Sequence, residues 1–342
     1  MPRILSFLFV LLLAACGQQQ VAQGPGNFDE RTQALVDAAR AEGMVSVYSS
    51  LPVDVMAELT AAFQAKYGVR AEVWRGGSEE ILQRTVAEAR AGRNAVDVVE
   101  TAAAEVEAIA RERLLMPVDS PVHAQLIPEA TLAGRPWTAS RLIVFVTAYN
   151  TNLIAPAEAP RTFQDLLDPK WKGRLTVEAN DFNWLMGVSD VMGEDAALSL
   201  LRNIVAANGI SMRDGHGLLT NLIVSGEVAL TFTQYYEQAA HARDEGAPIG
   251  LAYLSPVIAV PTGLGVLAGA PHPNAAHLFY DFYLTDGQAV LAKFDYVTAN
   301  LNYRAHMPPD LDLYVTDMAK FIDQYDKWRA LHREIFAAGA PR

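Results

Sequence analysis

The 342 residues carry 39 acidic against 27 basic side chains, a formal net charge of -12 at pH 7, and so lack the basic footprint that a nucleic-acid partner requires. Cysteine occurs once, at Cys16, which excludes thiolate metal sites, cysteine nucleophiles and disulfides from the rest of the chain. The remaining length is more than a single core usually holds, so an α/β chain of two lobes is expected.

Arg3 supplies a positive start, Ile4 to Ala15 an apolar run interrupted only by Ser6, and Gly17-Gln18-Gln19-Gln20 a polar exit. This is the layout of a signal peptide, shorter than the roughly 20 apolar residues that span a bilayer. Leu13-Ala14-Ala15-Cys16 resembles a bacterial lipobox, which implies cleavage before Cys16 and a diacylglycerol on its thiol; an ordinary secretory signal is the alternative. Residues 1–15 are therefore read as a lipoprotein signal peptide. Residues 16–27, rich in Gln, Gly and Ala with no apolar period, are read as a flexible tether to the membrane.

Beyond the tether, strand-like runs alternate with helical patterns, the signature of βαβ units and a largely parallel sheet. Val45 to Tyr48 reads as a strand, and Val55 to Tyr67 as a helix that stops at Gly68. Val69 to Trp74 is a second strand. Gly76-Gly77 then leads into a helix with Ser78 as its N-cap. Val96 to Val99 is a third strand, and Ala102 to Leu115 a helix. Leu142 to Tyr149 is nearly continuous in apolar residues and fits a buried strand crossing between lobes.

Thr162 to Leu167 is a short helix ahead of Asp168-Pro169-Lys170-Trp171-Lys172-Gly173, and Leu175 to Glu178 a strand. Two helices follow. Val228 to Phe232 leads as a strand into Tyr235-Tyr236, and Ile258 to Leu267 gives a second crossing. Pro273 to Thr285 is a helix with Leu278, Phe279, Phe282 and Tyr283 inward. The region from Asp310 to Trp328 reads as helical, with Trp328 placed to pack the tail onto a lobe. Two crossings make both lobes discontinuous: residues 28–140 with 258–300, and 141–257 with 301–342.

Val47-Tyr48-Ser49-Ser50, Arg75-Gly76-Gly77-Ser78, Asp97-Val98-Val99-Glu100-Thr101, the Asp168 to Gly173 turn and Ala270-Pro271-His272-Pro273-Asn274 stand in an order and spacing that resembles periplasmic solute-binding proteins of ABC importers. The branch is the one that includes ferric-iron-binding proteins, and the resemblance covers roughly Val45 to Gln288. It implies two α/β lobes closing on ligand about a hinge of crossing strands, as in a Venus flytrap. It also implies an ABC permease as partner, a site outside the cytoplasm in the periplasm or at the cell surface, and a binding role rather than an enzymatic one. A monomer is expected. Loops at the carboxyl ends of parallel strands face such a cleft, which places Ser49, Ser50, Gly77 and Ser78 there, with the helix start near Ser78 as an oxyanion site.

Ferric iron is a small hard cation that prefers phenolate and carboxylate oxygens. A tyrosine of pKa about 10 stays ionised at neutral pH only beside a strong cation. In the ferric branch an adjacent tyrosine pair after the second lobe's last strand supplies two iron ligands, and Tyr235-Tyr236 stands at that place. Adjacent strand residues nevertheless point to opposite faces. The branch often has a histidine after the first strand, where this chain has Leu51-Pro52. Glu100 or Tyr149 is therefore the candidate for the missing oxygen ligand, with a synergistic anion as a further possible component. No other cofactor is expected.

An oxyanionic organic solute, such as a phosphonate, sugar phosphate or carboxylate, is the alternative cargo. Tyr235 and Tyr236 would then be neutral donors, the Gly77-Ser78 helix start would hold the anion, and Arg141 would assist. A cleft enzyme built on Asp214-Gly215-His216 is the third reading, weakened by the absence of a Gly-x-Ser-x-Gly elbow. His241, His272, His277, His306 and His332 show no metal-ligand spacing and are expected on solvated surface.

Overall fold

A computed structural model describes residues 29–131, 134–303, 308 and 311–337. The signal peptide, Cys16, the tether and His306 lie outside the described residues. Asp29 caps the first helix, α1 (Glu30–Glu42), by accepting the Thr32 N–H at 2.8 Å, and Gly43 ends it with φ 82°. The chain then alternates through β1 (Met44–Ser49), α2 (Val53–Tyr67), β2 (Arg70–Arg75), α3 (Ser78–Arg90), β3 (Val98–Ala102) and α4 (Ala103–Arg111), with a short β4 (Leu115–Met116). On α2 the buried residues are Val55, Met56, Leu59, Phe63 and Tyr67, a helical stripe in which each fully buried apolar side chain stabilises by about 1.5–3 kcal/mol.

The long strand β5 (Thr138–Asn150) leads to β6 (Leu175–Glu178), α5 (Phe182–Met192), α6 (Glu194–Asn208), β7 (Ser211–Arg213), α7 (His216–Ser225), β8 (Leu230–Tyr235), α8 (Tyr236–Asp244) and β9 (Ile249–Ala252). The return runs through β10 (Val257–Leu267), α9 (Pro273–Leu284), α10 (Asp286–Lys293) and β11 (Val297–Thr298). The tail is β12 (Leu313–Val315), α11 (Met318–Asp323) and α12 (Tyr325–Ala337).

One sheet has the order β2-β1-β3-β10-β5, with β1 parallel to β2 and β3 and with β10 antiparallel to both β3 and β5. A second has the order β5-β8-β6-β7, with β6 parallel to β7 and β8. Strand β5 belongs to both: its first half pairs with β10 and β11, its second half with β8 and β9. Its burial along nearly the whole length explains why it reads as an unbroken apolar run. The architecture is a two-lobed α/β fold joined through β5, with the carboxyl ends of the parallel strands of each sheet forming the rims of the cleft.

Three expectations change at their edges. The third strand continues to Ala102, because Thr101 and Ala102 still pair with Gly263 and Thr262 of β10, and the helix after it ends at Arg111. The cap position of α3 is Gly77, not Ser78, and the Glu80 carboxylate accepts the Gly77 N–H at 2.8 Å. His332 is fully buried in α12 rather than solvated, its ring set edge-on to Phe182 and Phe336. Trp328, on the same helix and 1 % exposed, helps to dock the tail against α5 and α6.

Candidate functional site

The carboxyl ends of β6 and β8 and the starts of α5, α7 and α8 converge on one rim of the cleft. Tyr235 is the last residue of β8 and the cap of α8, and Tyr236 is the first residue of that helix. The switch from strand to helix gives the two rings different surroundings. Tyr235 is half-buried and lies flat on His216, ring centroids 3.4 Å apart and planes 20° apart, with Phe145 edge-on at 5.4 Å. Among the described residues its hydroxyl has no hydrogen-bond partner. Burial pushes its pKa well above the usual tyrosine value, and the Asp181, Glu237 and Glu178 carboxylates add to the rise.

Tyr236 is 1 % exposed. Burial raises its pKa to about 12, and its neighbours Tyr253, Arg243, Asp295 and Asp244 are not those of Tyr235. The two adjacent rings thus sit in different charged surroundings.

His216 opens α7 behind Gly215, whose φ of 96° turns the chain into the rim. Its Nε2 lies 3.1 Å from Asp181 Oδ1 and its Nδ1 3.1 Å from Gln234 Oε1. Glu178 accepts the Asn180 N–H at 2.5 Å and the Gly215 N–H at 3.0 Å. One ligand atom from each of Glu178, Asp181 and His216 falls within 4.8 Å of the others, and all three residues are buried. Burial raises the Glu178 pKa, and the Asp181 carboxylate adds to this. For His216 burial opposes the charged ring, but the Asp181 carboxylate outweighs it and lifts the pKa.

The partner of His216 is thus Asp181 and not Asp214, which instead accepts from the Asn180 side chain at 3.1 Å. Glu178 and Asp181 carry no motif that marks them. Only their places signal a role, since Glu178 ends a strand and Asp181 precedes a helix four residues after the Leu175-Thr176-Val177 run.

Across the cleft, Ser49 ends β1 and stands in register with Glu100 in the middle of β3, with Ser49 Oγ donating to Glu100 Oε2 at 2.7 Å. Both are fully buried. Ser50 is half-buried and donates its N–H to the Glu100 carbonyl at 3.0 Å. Arg141, on the crossing strand β5, is buried rather than a surface ion-pair residue: Nε lies 3.6 Å from Glu100 Oε1, and the guanidinium sits 4.7 Å over the Tyr296 ring. Glu100 Oε1, Arg141 Nε and Glu237 Oε2 are all buried without hydrogen-bond partners among the described residues. The proposed anion subsite is weakened at Gly77, since Glu80 already takes its N–H.

Tyr149 is not brought to this group. Phe145 is the β5 residue opposite Tyr235, whereas Tyr149 pairs with Leu230 at the far end of β8. At about 3.3 Å per residue, four residues of strand separate it from the rim by more than 10 Å. Its ring covers Gly250, where an added Cβ would lie 2.2 Å from Tyr149 Cζ.

The chain is similar to iron uptake protein A1 of Synechocystis sp., at 26 % identity over 83 % of this chain and 80 % of that protein. It is also similar to the Fe(3+)-binding periplasmic protein of Serratia marcescens, at 26 % identity over 83 % of this chain and 88 % of the relative. Among solved structures, the Trichodesmium protein IdiA (FutA) in complex with iron and citrate superposes with a TM-score of 0.72 at 17 % identity, over 86 % of this chain and 99 % of that one. The profile of bacterial extracellular solute-binding proteins matches residues 58–319, well over half of the chain. With its two-lobed fold and a cleft ringed by polar groups, the chain belongs to the family of bacterial extracellular solute-binding proteins.

Proposed function

We propose that the protein is the cargo-capturing component of an ABC importer and that its cargo is ferric iron, with Tyr235 supplying a phenolate. One arrangement carries this reading: the Tyr235 hydroxyl, without a hydrogen-bond partner among the described residues, faces the three carboxylates of Asp181, Glu237 and Glu178 against the single guanidinium of Arg141. Such a rim repels an oxyanionic solute and attracts a hard, highly charged cation, the one kind of partner that holds a phenolate against so raised a pKa. The iron-related names of the two relatives point the same way. Glu100 remains the candidate contribution of the other lobe, its Oε1 lacking a hydrogen-bond partner among the described residues.

The lobes, residues 28–140 with 258–300 and 141–257 with 301–342, close about β5, and closure is driven by contacts that ligand makes only in the closed state. A lipid on Cys16 tethers a monomer to the membrane, outside the cytoplasm, within reach of its permease. No helix among the described residues is long and apolar enough to cross a membrane.

The test is equilibrium dialysis against ferric citrate followed by gel filtration and metal analysis. Retention of one ferric ion per chain is expected. A chain that retains none, and whose melting temperature rises instead with a sugar phosphate or phosphonate, overturns the reading.

A further inference from the structure

Resting on the ferric reading, we propose that Asp181, Glu178 and His216 are the second lobe's own ligands to the cargo ion beside Tyr235, so that iron is captured without an exogenous anion. The His216 ring is oriented for this. Gln234 Nε2 donates to Thr220 Oγ1 at 2.7 Å and to the His216 carbonyl at 3.2 Å, which turns Gln234 Oε1 toward Nδ1. Nδ1 therefore carries the proton it donates, and Nε2, which bonds to Asp181 in the ion-free protein, is the nitrogen that an arriving cation takes by displacing the proton held there. A ligating histidine is held in this manner, one ring N–H given to a carbonyl and the other nitrogen offered to the ion.

The spacing fits as well. Neighbouring donors each about 2.1 Å from an ion lie about 3 Å apart, and Nε2 and Asp181 Oδ1 are separated by 3.1 Å. Independently, Asp181 Oδ2 is buried without a hydrogen-bond partner among the described residues, in a residue only 3 % exposed. An orphaned carboxylate oxygen is costly, and a bound cation would satisfy it.

At this rim an added anion would compete with a carboxylate of the chain itself. The amide N–H groups near helix starts are the usual donors to an oxyanion. Here Glu178 accepts those of Asn180, ahead of α5, and Gly215, ahead of α7. The chain's own carboxylate occupies the position, and Asp181 beside it adds a second negative charge.

The test uses wild-type protein loaded with ferrous chloride under argon and then oxidised by air, in buffer free of bicarbonate. Uptake and the visible ferric band are expected to be unchanged when bicarbonate, phosphate or citrate is added. Pulsed electron paramagnetic resonance of protein with 15N-labelled histidine should show nitrogen coupling to the ferric ion. Asp181→Asn, with its unloaded fold checked by circular dichroism, should weaken iron retention by at least about tenfold. Loading that requires an added anion, or a ferric site with no histidine nitrogen coupling, overturns the inference while leaving iron as the cargo. Absence of any ferric band removes the reading on which it rests.

Discussion

Tyr235 and Tyr149 show how far a residue's role depends on register. Both are tyrosines at strand ends, yet only Tyr235 reaches the carboxylate rim, because Phe145 and not Tyr149 stands opposite it on β5. Tyr149→Phe is therefore expected to leave ferric retention unchanged in the dialysis assay. Gly250→Ala, by contrast, places a methyl 2.2 Å from the Tyr149 ring and should lower stability by about 1–3 kcal/mol in urea titration. At this scale the sequence displayed the Tyr235-Tyr236 pair but not its partners. Glu178 and Asp181 belong to no motif, and His216 stood nearest in sequence to Asp214, while the chain reversal between β6 and α7 joins it to Asp181.

Helices with one buried face, such as α2, were legible from their apolar period, and β5, buried on both faces, from its unbroken apolar run. Helix α1 was not legible, and of the packing of α12 only Trp328 was. The buried face of α12 includes His332, a polar residue that composition assigns to solvent. Burial drives its pKa down to about 4, partly opposed by Asp181 and by the Glu178 backbone. A pKa depressed in the folded state contributes stability that is present above the unfolded value of about 6.5 and is lost as pH falls toward 4. The loss amounts to about 3 kcal/mol. His332→Leu should flatten this part of the pH profile in urea titrations at pH 7 and pH 4.5 without lowering stability at pH 7. Equal pH dependence in both proteins would show that His332 is not the buried neutral group described. Gly187 belongs to the same scale: a Cβ there would meet Ile258 Cγ2 at 2.6 Å, so Gly187→Ala should push α5 off β10 and destabilise the fold.

The whole molecule was the most legible level, because alternating strands and helices interrupted by two long apolar runs allow few arrangements other than two lobes joined by crossing strands. Which side chains face each other across the cleft was not legible, since that depends on where β5 passes from one sheet to the other. A cleft that closes on its cargo predicts a smaller radius of gyration for the iron-loaded protein than for the unloaded one in solution X-ray scattering. The central claim, a phenolate from Tyr235 on ferric iron, is tested most directly by the visible absorption spectrum of the protein after addition of ferric citrate. The account predicts a phenolate-to-iron charge-transfer band in the wild type and in Tyr149→Phe, and its loss in Tyr235→Phe. A featureless wild-type spectrum, or an undiminished band in Tyr235→Phe, would contradict it.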